Sequence, residues 1–282
     1  MNVATLKGID VSKHQGVIDW SKPDVDFAVI RAGYGKYQSQ TDTQLKANMA
    51  GCKTYGIPVG IYWYSYATTV SDAVAEAQTC LAVIKPYQSQ IVLPVFFDQE
   101  YEKSIVALTN RERTDICKAF CKAVADAGFK PGIYASFDWF NTKLIVKELG
   151  YPFWVAQYGS KCSYAGNNLY MWQYSSKGSV DGISGNVDMN YGYFDLPGVQ
   201  PTGWQKSGSK WYYYENGQKV KAAWRKLSGK SGTFWYYLGA DGAMLTGTQK
   251  IGGKVYHLHE KAACGLPEGA LVITDEKGAV RV

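Results

Sequence analysis

The chain has 282 residues, of which 46% are hydrophobic and 15% aromatic, so it can bury a large core and is not a disordered chain. Its formal net charge is +6, and the whole excess lies in residues 198–282, with 12 Lys or Arg against 6 Asp or Glu. These basic residues are scattered between glycines and aromatics, which argues against nucleic-acid binding and favours contact with an anionic bacterial wall.

Two targeting features are absent from the sequence. No apolar run is long enough to form a transmembrane helix, so no membrane insertion is expected. The start, MNVATLKGID, lacks the charged and apolar regions of a secretory signal peptide. We therefore expect synthesis in a cytoplasm.

Residues 1–196 show alternating strand and helix patterns, which are typical of an α/β domain. The predicted strands are residues 6–11, 27–32, 58–66, 91–97, 130–135, 153–157, 170–174 and 187–191. The predicted helices are residues 42–55, 71–84 and 111–127, the last closed by Gly128. Eight strands with few helices predict an irregular (β/α) barrel, with only strands and loops between residues 153 and 191.

Four carboxylates fall at predicted strand ends, where a barrel places its active site. Asp10 ends the first strand, Asp98 and Glu100 end the fourth, and Asp188 starts the last. Because Asp98 and Glu100 are two residues apart, their side chains project to one side of a strand. Neighbouring, partly desolvated carboxyls repel, and one can keep its proton near neutral pH, as the acid in glycoside hydrolysis must. The alternative is a solvated loop, which the apolar run IVLPVFF before Asp98 disfavours.

Aromatic residues also gather near the predicted strand ends. Flat rings can stack on sugars, although each ring could instead fill the core. The residues are Tyr34, Tyr62, Tyr64, Tyr134, Trp154, Tyr158, Trp172 and Tyr174.

Cysteines and histidines do not predict a metal site. The six cysteines lack paired short spacings, and Cys117 and Cys121, four apart on a predicted helix, are interpreted as small buried hydrophobic residues. The three histidines lack partners at ligand spacing. We therefore expect no metal and no cofactor.

Several motifs occur in order across residues 8–193: GIDVSKHQG, IRAGYG, GIYWYSYA, a strand ending in D-x-E, GIYAS, WVAQY, MWQYSS and VDMNYGY. In combination they resemble the glycoside hydrolase family 25 lysozymes. The resemblance implies an irregular barrel with an acidic groove that cleaves the β-1,4 bond from N-acetylmuramic acid to N-acetylglucosamine in peptidoglycan glycan strands.

By the same resemblance, Glu100 is the general acid/base, Asp98 stabilises developing positive charge, and Asp10 and Asp188 support the site. Whether Asp98 or the substrate acetamido group acts as the nucleophile stays open. Gln99 stands where an apolar residue is commoner, and we expect its side chain to face away from the site. The expected substrate-binding residues are Tyr34, Tyr62, Tyr64, Tyr134, Trp154, Gln157 and Gln173.

The composition of the chain changes at DLPGVQPTG, residues 195–203, where prolines and glycines cluster. This change predicts a linker over residues 197–203 and a second domain over residues 204–282. There the runs 211–213 and 235–237, both Trp-Tyr-Tyr, repeat with a period of 24 residues, and residues 248–258 form a degraded third copy. Thr248 replaces a Trp, and Val255-Tyr256 replaces the third Trp-Tyr-Tyr. This pattern predicts stacked β-hairpins resembling a small solenoid, with residues 259–282 as a possible capping hairpin.

These repeats resemble the cell-wall-binding repeats called choline-binding repeats, in which rings from adjacent hairpins surround a quaternary ammonium. The expected ligand-binding residues are Trp204, Trp211, Tyr213, Trp224, Trp235, Tyr237 and Met244. Two alternatives remain: the rings only cement the repeat core, or the ligand is an anionic wall polymer.

Together with the expected lack of a signal peptide, these resemblances imply a phage endolysin anchored to the wall. A bacterial autolysin of the same activity and a non-catalytic wall-binding lectin are the alternatives. The oligomeric state is not predicted.

Overall fold

The computed structural model describes residues 6–196, 203–207, 210–215, 218–229, 232–262, 265–274 and 280–281. The chain divides into two compact units, the first ending at Pro197 and the second starting at Gly198. Within the described residues, no helix has the length and apolar character needed to cross a membrane.

The first unit is a closed barrel of eight strands in sequence order. The predicted strands are confirmed, with ends that differ by a few residues. The strands are β1 (Leu6–Val11), β2 (Phe27–Tyr34), β3 (Val59–Tyr64), β4 (Ile91–Asp98), β5 (Pro131–Ser136), β6 (Phe153–Ala156), β7 (Leu169–Gly178) and β8 (Val187–Gly192).

Three long helices lie at the predicted positions: α1 (Leu45–Tyr55), α2 (Val70–Ile84) and α4 (Asn110–Asp126). Two short helices, α3 (Lys103–Val106) and α5 (Phe137–Thr142), are too brief to leave a periodic pattern in the sequence and were not predicted. Gly128, just after α4, has φ +85°, a backbone angle at which a side chain would be strained.

β8 explains why the barrel is irregular. β1 to β7 are parallel to their neighbours, whereas β8 runs antiparallel to both β7 and β1. Its first residues therefore lie at the rim where the parallel strands end, and Gly192, its last residue, pairs with Leu6 at the opposite end. A carboxylate at the start of β8 thus joins carboxylates from the ends of the other strands.

The core has an inner and an outer layer. The barrel interior includes the buried residues Phe27, Phe96, Trp154 and Met171. The outer layer lies between the barrel and the helices, where Phe97 and Phe120 have ring centroids 4.7 Å apart. Burying an aromatic or large aliphatic side chain of this kind contributes about 1.5–3 kcal/mol.

Cysteines belong to this outer layer. Cys52, Cys80, Cys117 and Cys121 are buried and form no disulfide with any described residue. Burial raises the pKa of all four thiols.

The second unit is a series of antiparallel hairpins, as the repeats predicted. Its strands are β9 (Gly203–Ser207), β10 (Lys210–Glu215), β11 (Gln218–Lys219), β12 (Ala223–Gly229), β13 (Gly232–Leu238), β14 (Gly247–Ile251), β15 (Lys254–Leu258), β16 (Ile273–Thr274) and β17 (Val280–Arg281). Pairs form between β9, β10 and β11, between β12 and β13, between β14 and β15, and between β16 and β17.

The turn that follows a hairpin recurs in the third repeat. In the second repeat, the Gly239 N–H donates to the Ala243 carbonyl at 2.7 Å, and in the third the His259 N–H donates to the Ala270 carbonyl at 2.8 Å. In both turns, the carbonyl of the first residue accepts from the glycine just before that alanine. The third turn spans ten residues where the second spans three, and this insertion conceals the repeat in the sequence.

The residue that follows each of these alanines donates a hydrogen bond to the first tryptophan of the Trp-Tyr-Tyr run in the preceding repeat. The Met244 N–H donates to the Trp211 carbonyl at 2.7 Å, and the Leu271 N–H donates to the Trp235 carbonyl at 2.8 Å. Leu271 therefore holds the position of Met244. Residues 259–262 and 265–271 therefore share the hydrogen bonds of the turn in the second repeat, and a capping role for residues 259–282 stays a prediction.

Candidate active site

Four carboxylates meet at the barrel rim. Asp10 on β1 and Asp188 on β8 are direct partners in the antiparallel ladder. Asp98 ends β4, and Glu100 follows two residues later. Charge interactions link Asp10 to both Asp188 and Glu100, and Asp98 to both Asp10 and Glu100. The structure thus brings together all four predicted catalytic residues.

A buried hydrogen-bond network fixes Asp10. Its Oδ2 accepts from Gln173 Nε2 at 3.0 Å and from Asn190 Nδ2 at 2.8 Å. Asn190 Oδ1 in turn accepts from Trp154 Nε1 at 2.8 Å, and Gln173 Oε1 accepts from the Tyr134 hydroxyl at 2.9 Å. Because both amides are themselves held, they can present only N–H donors to Asp10.

Burial raises the pKa of every carboxyl in the group. The pKa of Asp10 rises to about 8, mainly by desolvation and then by the charge of Asp188, although the two amide hydrogen bonds oppose the rise. Desolvation raises the pKa of Asp188 to about 6. The site therefore cannot carry four negative charges at neutral pH.

Asp98 and Glu100 interact directly. A hydrogen bond between their carboxyls raises the pKa of Asp98 and lowers that of Glu100, so the pair shares one proton. Burial is the main reason that both pKa values are raised. Asp98 Oδ1 is buried without a hydrogen-bond partner among the described residues. The pair can release a proton and then stabilise a positive charge.

The residue between them faces another way. Gln99 is buried, and its Oε1 accepts from Cys117 Sγ on α4 at 3.4 Å. Its side-chain oxygen therefore points to the helix layer, as expected.

A cavity of about 260 Å³ opens beside Glu100. Tyr101 and Tyr158, which are 62% and 60% exposed, offer rings at its edge. The full lining is Gln99, Glu100, Tyr101, Tyr134, Ser136, Trp139, Ala156 and Tyr158.

A second aromatic cluster lies near the ends of β2 and β3. Tyr66, which is exposed, contacts Tyr64 at 5.2 Å and Tyr34 at 6.1 Å between ring centroids. The Tyr64 hydroxyl donates to Glu102 Oε1 at 2.7 Å. Tyr34 and Tyr64 are partly exposed, and their predicted contact with a sugar stays a prediction.

Other predicted substrate-binding residues lie deeper. The sequence predicted that Trp154 binds the substrate. Trp154 is only 1% exposed, so its ring cannot stack on a sugar in the groove. Its Nε1–H instead donates to Asn190 Oδ1. Gln173 is buried against Asp10. Tyr134 is 8% exposed but lines the cavity beside Glu100. The side-chain amide of Gln157 forms two hydrogen bonds with Ser163. Half-buried Tyr62 packs edge-on against Trp154, with ring centroids 5.9 Å apart.

Asn190 was missed by the sequence analysis. Its only sequence signal is its position two residues after Asp188, on a strand where alternate side chains share a face. Among the residues that the structure describes, no group of three or more His, Cys, Asp or Glu is arranged to hold a metal ion.

The second unit contains a cavity of about 370 Å³ lined by aromatic rings that include Trp204, Trp211 and Tyr236. We call this cavity and its rings the first box. Trp204 contacts Trp211 at 6.4 Å and Tyr236, of the next hairpin, at 5.0 Å between centroids. Tyr213 also contacts Trp204 but is not among the lining residues, whereas Tyr236, which was not predicted, is. The full lining is Trp204, Trp211, Leu227, Ser228, Gly232, Phe234, Tyr236, Met244, Ala262, Pro267 and Glu268.

A second box repeats this geometry one hairpin later. Trp224 contacts Tyr237 at 5.2 Å and Tyr256 at 4.9 Å between centroids. Tyr256 therefore occupies the position of Tyr236, and Trp235 remains 39% exposed. The third copy, although degraded in sequence, supplies the ring that the second box needs.

Comparisons with known families agree with both units. The family model described as Glycosyl hydrolases family 25 matches residues 9–183, and the cell wall binding repeat matches residues 202–217 and 235–244. Protein YegX of Escherichia coli K12, which is uncharacterized, is 31% identical over 196 residues, covering 66% of this chain and 69% of its own.

Two further relatives carry a named activity. The lysozyme of Streptococcus phage Cp-1 is 28% identical over 204 residues, covering 68% of this chain and 57% of its own. The modular autolysin LytC of Streptococcus pneumoniae superposes with a TM-score of 0.59 at 28% identity, over 67% of this chain and 47% of its own. The chain thus spans about half the length of these two relatives.

Proposed function

The chain belongs to glycosyl hydrolases family 25, and we propose that it is a peptidoglycan hydrolase that cleaves the β-1,4 bond between N-acetylmuramic acid and N-acetylglucosamine. The observation that carries this proposal is the buried, hydrogen-bonded pair Asp98 and Glu100 at the rim of the barrel. Glycoside hydrolysis needs one protonated carboxyl for the leaving oxygen and one carboxylate near the anomeric carbon.

In the proposed mechanism, Glu100 donates the proton that the pair shares to the glycosidic oxygen as the bond to the anomeric carbon breaks. Asp98 then stabilises the positive charge on the sugar, and the nucleophile that bonds to the anomeric carbon is either Asp98 or the substrate acetamido group. Water next attacks the anomeric carbon and displaces that nucleophile, while Glu100, now a carboxylate, takes a proton from the water and so restores the starting pair. The cavity beside Glu100 and the exposed rings of Tyr101 and Tyr158 offer a place for the sugar chain.

Asp10 and Asp188 support this pair. The negative charge of Asp10 raises the pKa of Asp98, and that of Asp188 raises the pKa of Glu100. Asp10 and Asp188 lie opposite each other on adjacent barrel strands. Neither is placed here as the proton donor.

For the second unit we propose binding of choline on the bacterial wall. Support comes from the two boxes, each with rings from two adjacent hairpins, because a ring face attracts a quaternary ammonium. An anionic wall polymer remains the second candidate, since Lys and Arg outnumber Asp and Glu by 12 to 6 in residues 198–282.

For the biological role we propose a phage endolysin, synthesised in the host cytoplasm and acting at the wall, with a bacterial autolysin as the alternative. Similarity to a phage lysozyme and to an autolysin supports both roles. A non-catalytic lectin is disfavoured because sugar binding does not require both carboxyls of the pair Asp98 and Glu100.

The chemistry is tested by the ends that the enzyme creates. Purified peptidoglycan is digested, reduced with borohydride and analysed by mass spectrometry. Reduced muramic acid is the expected product. Reduced glucosamine would instead identify a glucosaminidase, and new free amino groups an amidase or peptidase.

A further inference from the structure

The lengthened turn of the third repeat contributes to the first box. Pro267 and Glu268 lie in this turn, yet both line the cavity formed by Trp204, Trp211 and Tyr236 of the first two hairpins. Ala262, from the same turn, lines the cavity as well. The box is therefore built from all three repeats.

Backbone contacts fix the turn against the box. The Gly269 N–H donates to the His259 carbonyl at 2.7 Å, and the Ala270 N–H donates to the Pro267 carbonyl at 3.2 Å. Gly269 has φ +79°, and a Cβ added there would lie 2.3 Å from Met244 Sδ. Because Met244 also lines the cavity, the turn packs directly on a wall of the box.

The acidic residue in this turn has different surroundings from the acidic residue in the turn of the second repeat. Asp241 precedes the turn glycine of the second repeat and is paired with Lys210 at 3.1 Å. Glu268 precedes the turn glycine of the third repeat and makes no ion pair with any residue that the structure describes. Its negative charge is therefore not balanced by a described Lys or Arg.

We infer that Glu268 is the counter-ion of an organic cation held in the first box, so that this site selects a quaternary ammonium over a neutral group of the same shape. The inference rests on the proposed wall-binding function and adds to it a residue outside the recognisable repeat motifs. Rings and a carboxylate both attract a cation, whereas a neutral trimethyl group gains only from contact with the rings.

The test uses choline and its neutral isostere 3,3-dimethyl-1-butanol as probes, titrated by calorimetry into the full chain. A Tyr256→Ala background weakens the second box, so that the first box dominates the signal. We expect Glu268→Gln to weaken choline binding about threefold to fivefold, the scale of a solvent-exposed charge pair, and to leave binding of the alcohol unchanged.

Asp241→Asn is the matched control, because it removes a carboxylate at the equivalent position that is already paired with Lys210. It should leave the choline-to-alcohol ratio unaltered. An equal ratio in the parent and in Glu268→Gln overturns the inference even if choline binds. Release of the enzyme from walls by choline is scored separately, so the inference can stand while the proposed wall ligand fails.

Discussion

Asp10 and Asp188 lie directly opposite each other on adjacent antiparallel strands. Residues paired in this way have Cα atoms only about 4.5–5.5 Å apart. The closure of the barrel by a reversed strand therefore brings two carboxylates together at the rim that also carries Asp98 and Glu100. Repulsion within this group is built into the fold.

Replacing Glu100 should abolish most of the turnover. Glu100→Gln keeps shape and hydrogen bonding but removes the transferable proton, so we expect a loss of about a hundredfold or more in kcat. Release of soluble fragments from purified walls measures it. Glu102→Gln is the matched comparison: it removes a neighbouring carboxylate that accepts from Tyr64 and raises the pKa of Glu100 by its charge, but it leaves the transferable proton in place. Near-normal activity of a folded Glu100→Gln protein would contradict the assignment.

The other three carboxylates should rank in a fixed order. Asp98→Asn is expected to be nearly as damaging as Glu100→Gln, because the transition state loses its opposing charge. Asp10→Asn and Asp188→Asn should cost less, since neither group transfers a proton. The comparison needs kcat for all three variants on one substrate. If Asp10→Asn were the most damaging, the division of roles would be wrong.

Stability should fall as the pH rises. The pKa of Asp10 is about 8 in the folded chain and about 3.9 when unfolded, so between these values the native state holds a proton that the unfolded state has lost. The free energy of unfolding therefore declines from about pH 4 to pH 8 through this group.

The Asp10→Asn variant tests that sign. Its amide oxygen can still accept from Gln173 and Asn190, but the ionisation is removed. Chemical denaturation should show the variant more stable than the parent by about 1–3 kcal/mol at pH 8, with the difference shrinking toward pH 4. A difference that grows as the pH falls would refute the raised pKa.

Loss of the ring at Tyr256 should weaken the second box. Tyr256→Ala removes a ring that contacts Trp224, and about tenfold weaker choline binding at that site is expected. Fluorescence titration of the tryptophans reports it. His257→Ala, on the adjacent exposed residue, is the control and should bind as the parent does. Equal losses in the two variants would mean that the ring only supports the hairpin.

Truncation separates cleavage from wall attachment. A chain ending at Leu196 keeps the whole barrel and all four carboxylates, so it should digest soluble wall fragments at the parental rate. On intact cells it should be slower, because attachment raises the local enzyme concentration. Parental rates on both substrates would remove the proposed role of the repeats.

The sequence was informative where the pattern is local. Apolar runs located the eight strands, and the position of Asp98 at the end of such a run predicted its burial. The contacts that orient Asp10 were not predictable in this way, because Gln173 and Asn190 come from positions 163 and 180 residues away.

The remaining differences between prediction and structure concern which face of a strand each side chain occupies. Tyr236 points to the opposite side of its strand from Trp235 and Tyr237, and only the stacking of hairpins reveals that this side closes a box. The third repeat was obscured by its ten-residue turn, since an insertion of this size breaks any fixed period.

The reactivity of the buried cysteines should report local unfolding of the helices that cover the barrel. Cys52 lies on α1, Cys80 on α2, and Cys117 and Cys121 on α4, each beneath the outer surface. Only a thiolate reacts with iodoacetamide, and burial both raises the thiol pKa and blocks access. Alkylation at each cysteine should therefore proceed only as fast as its helix detaches. Peptide mapping of the alkylated positions would time the detachment of three helices in one unmodified chain.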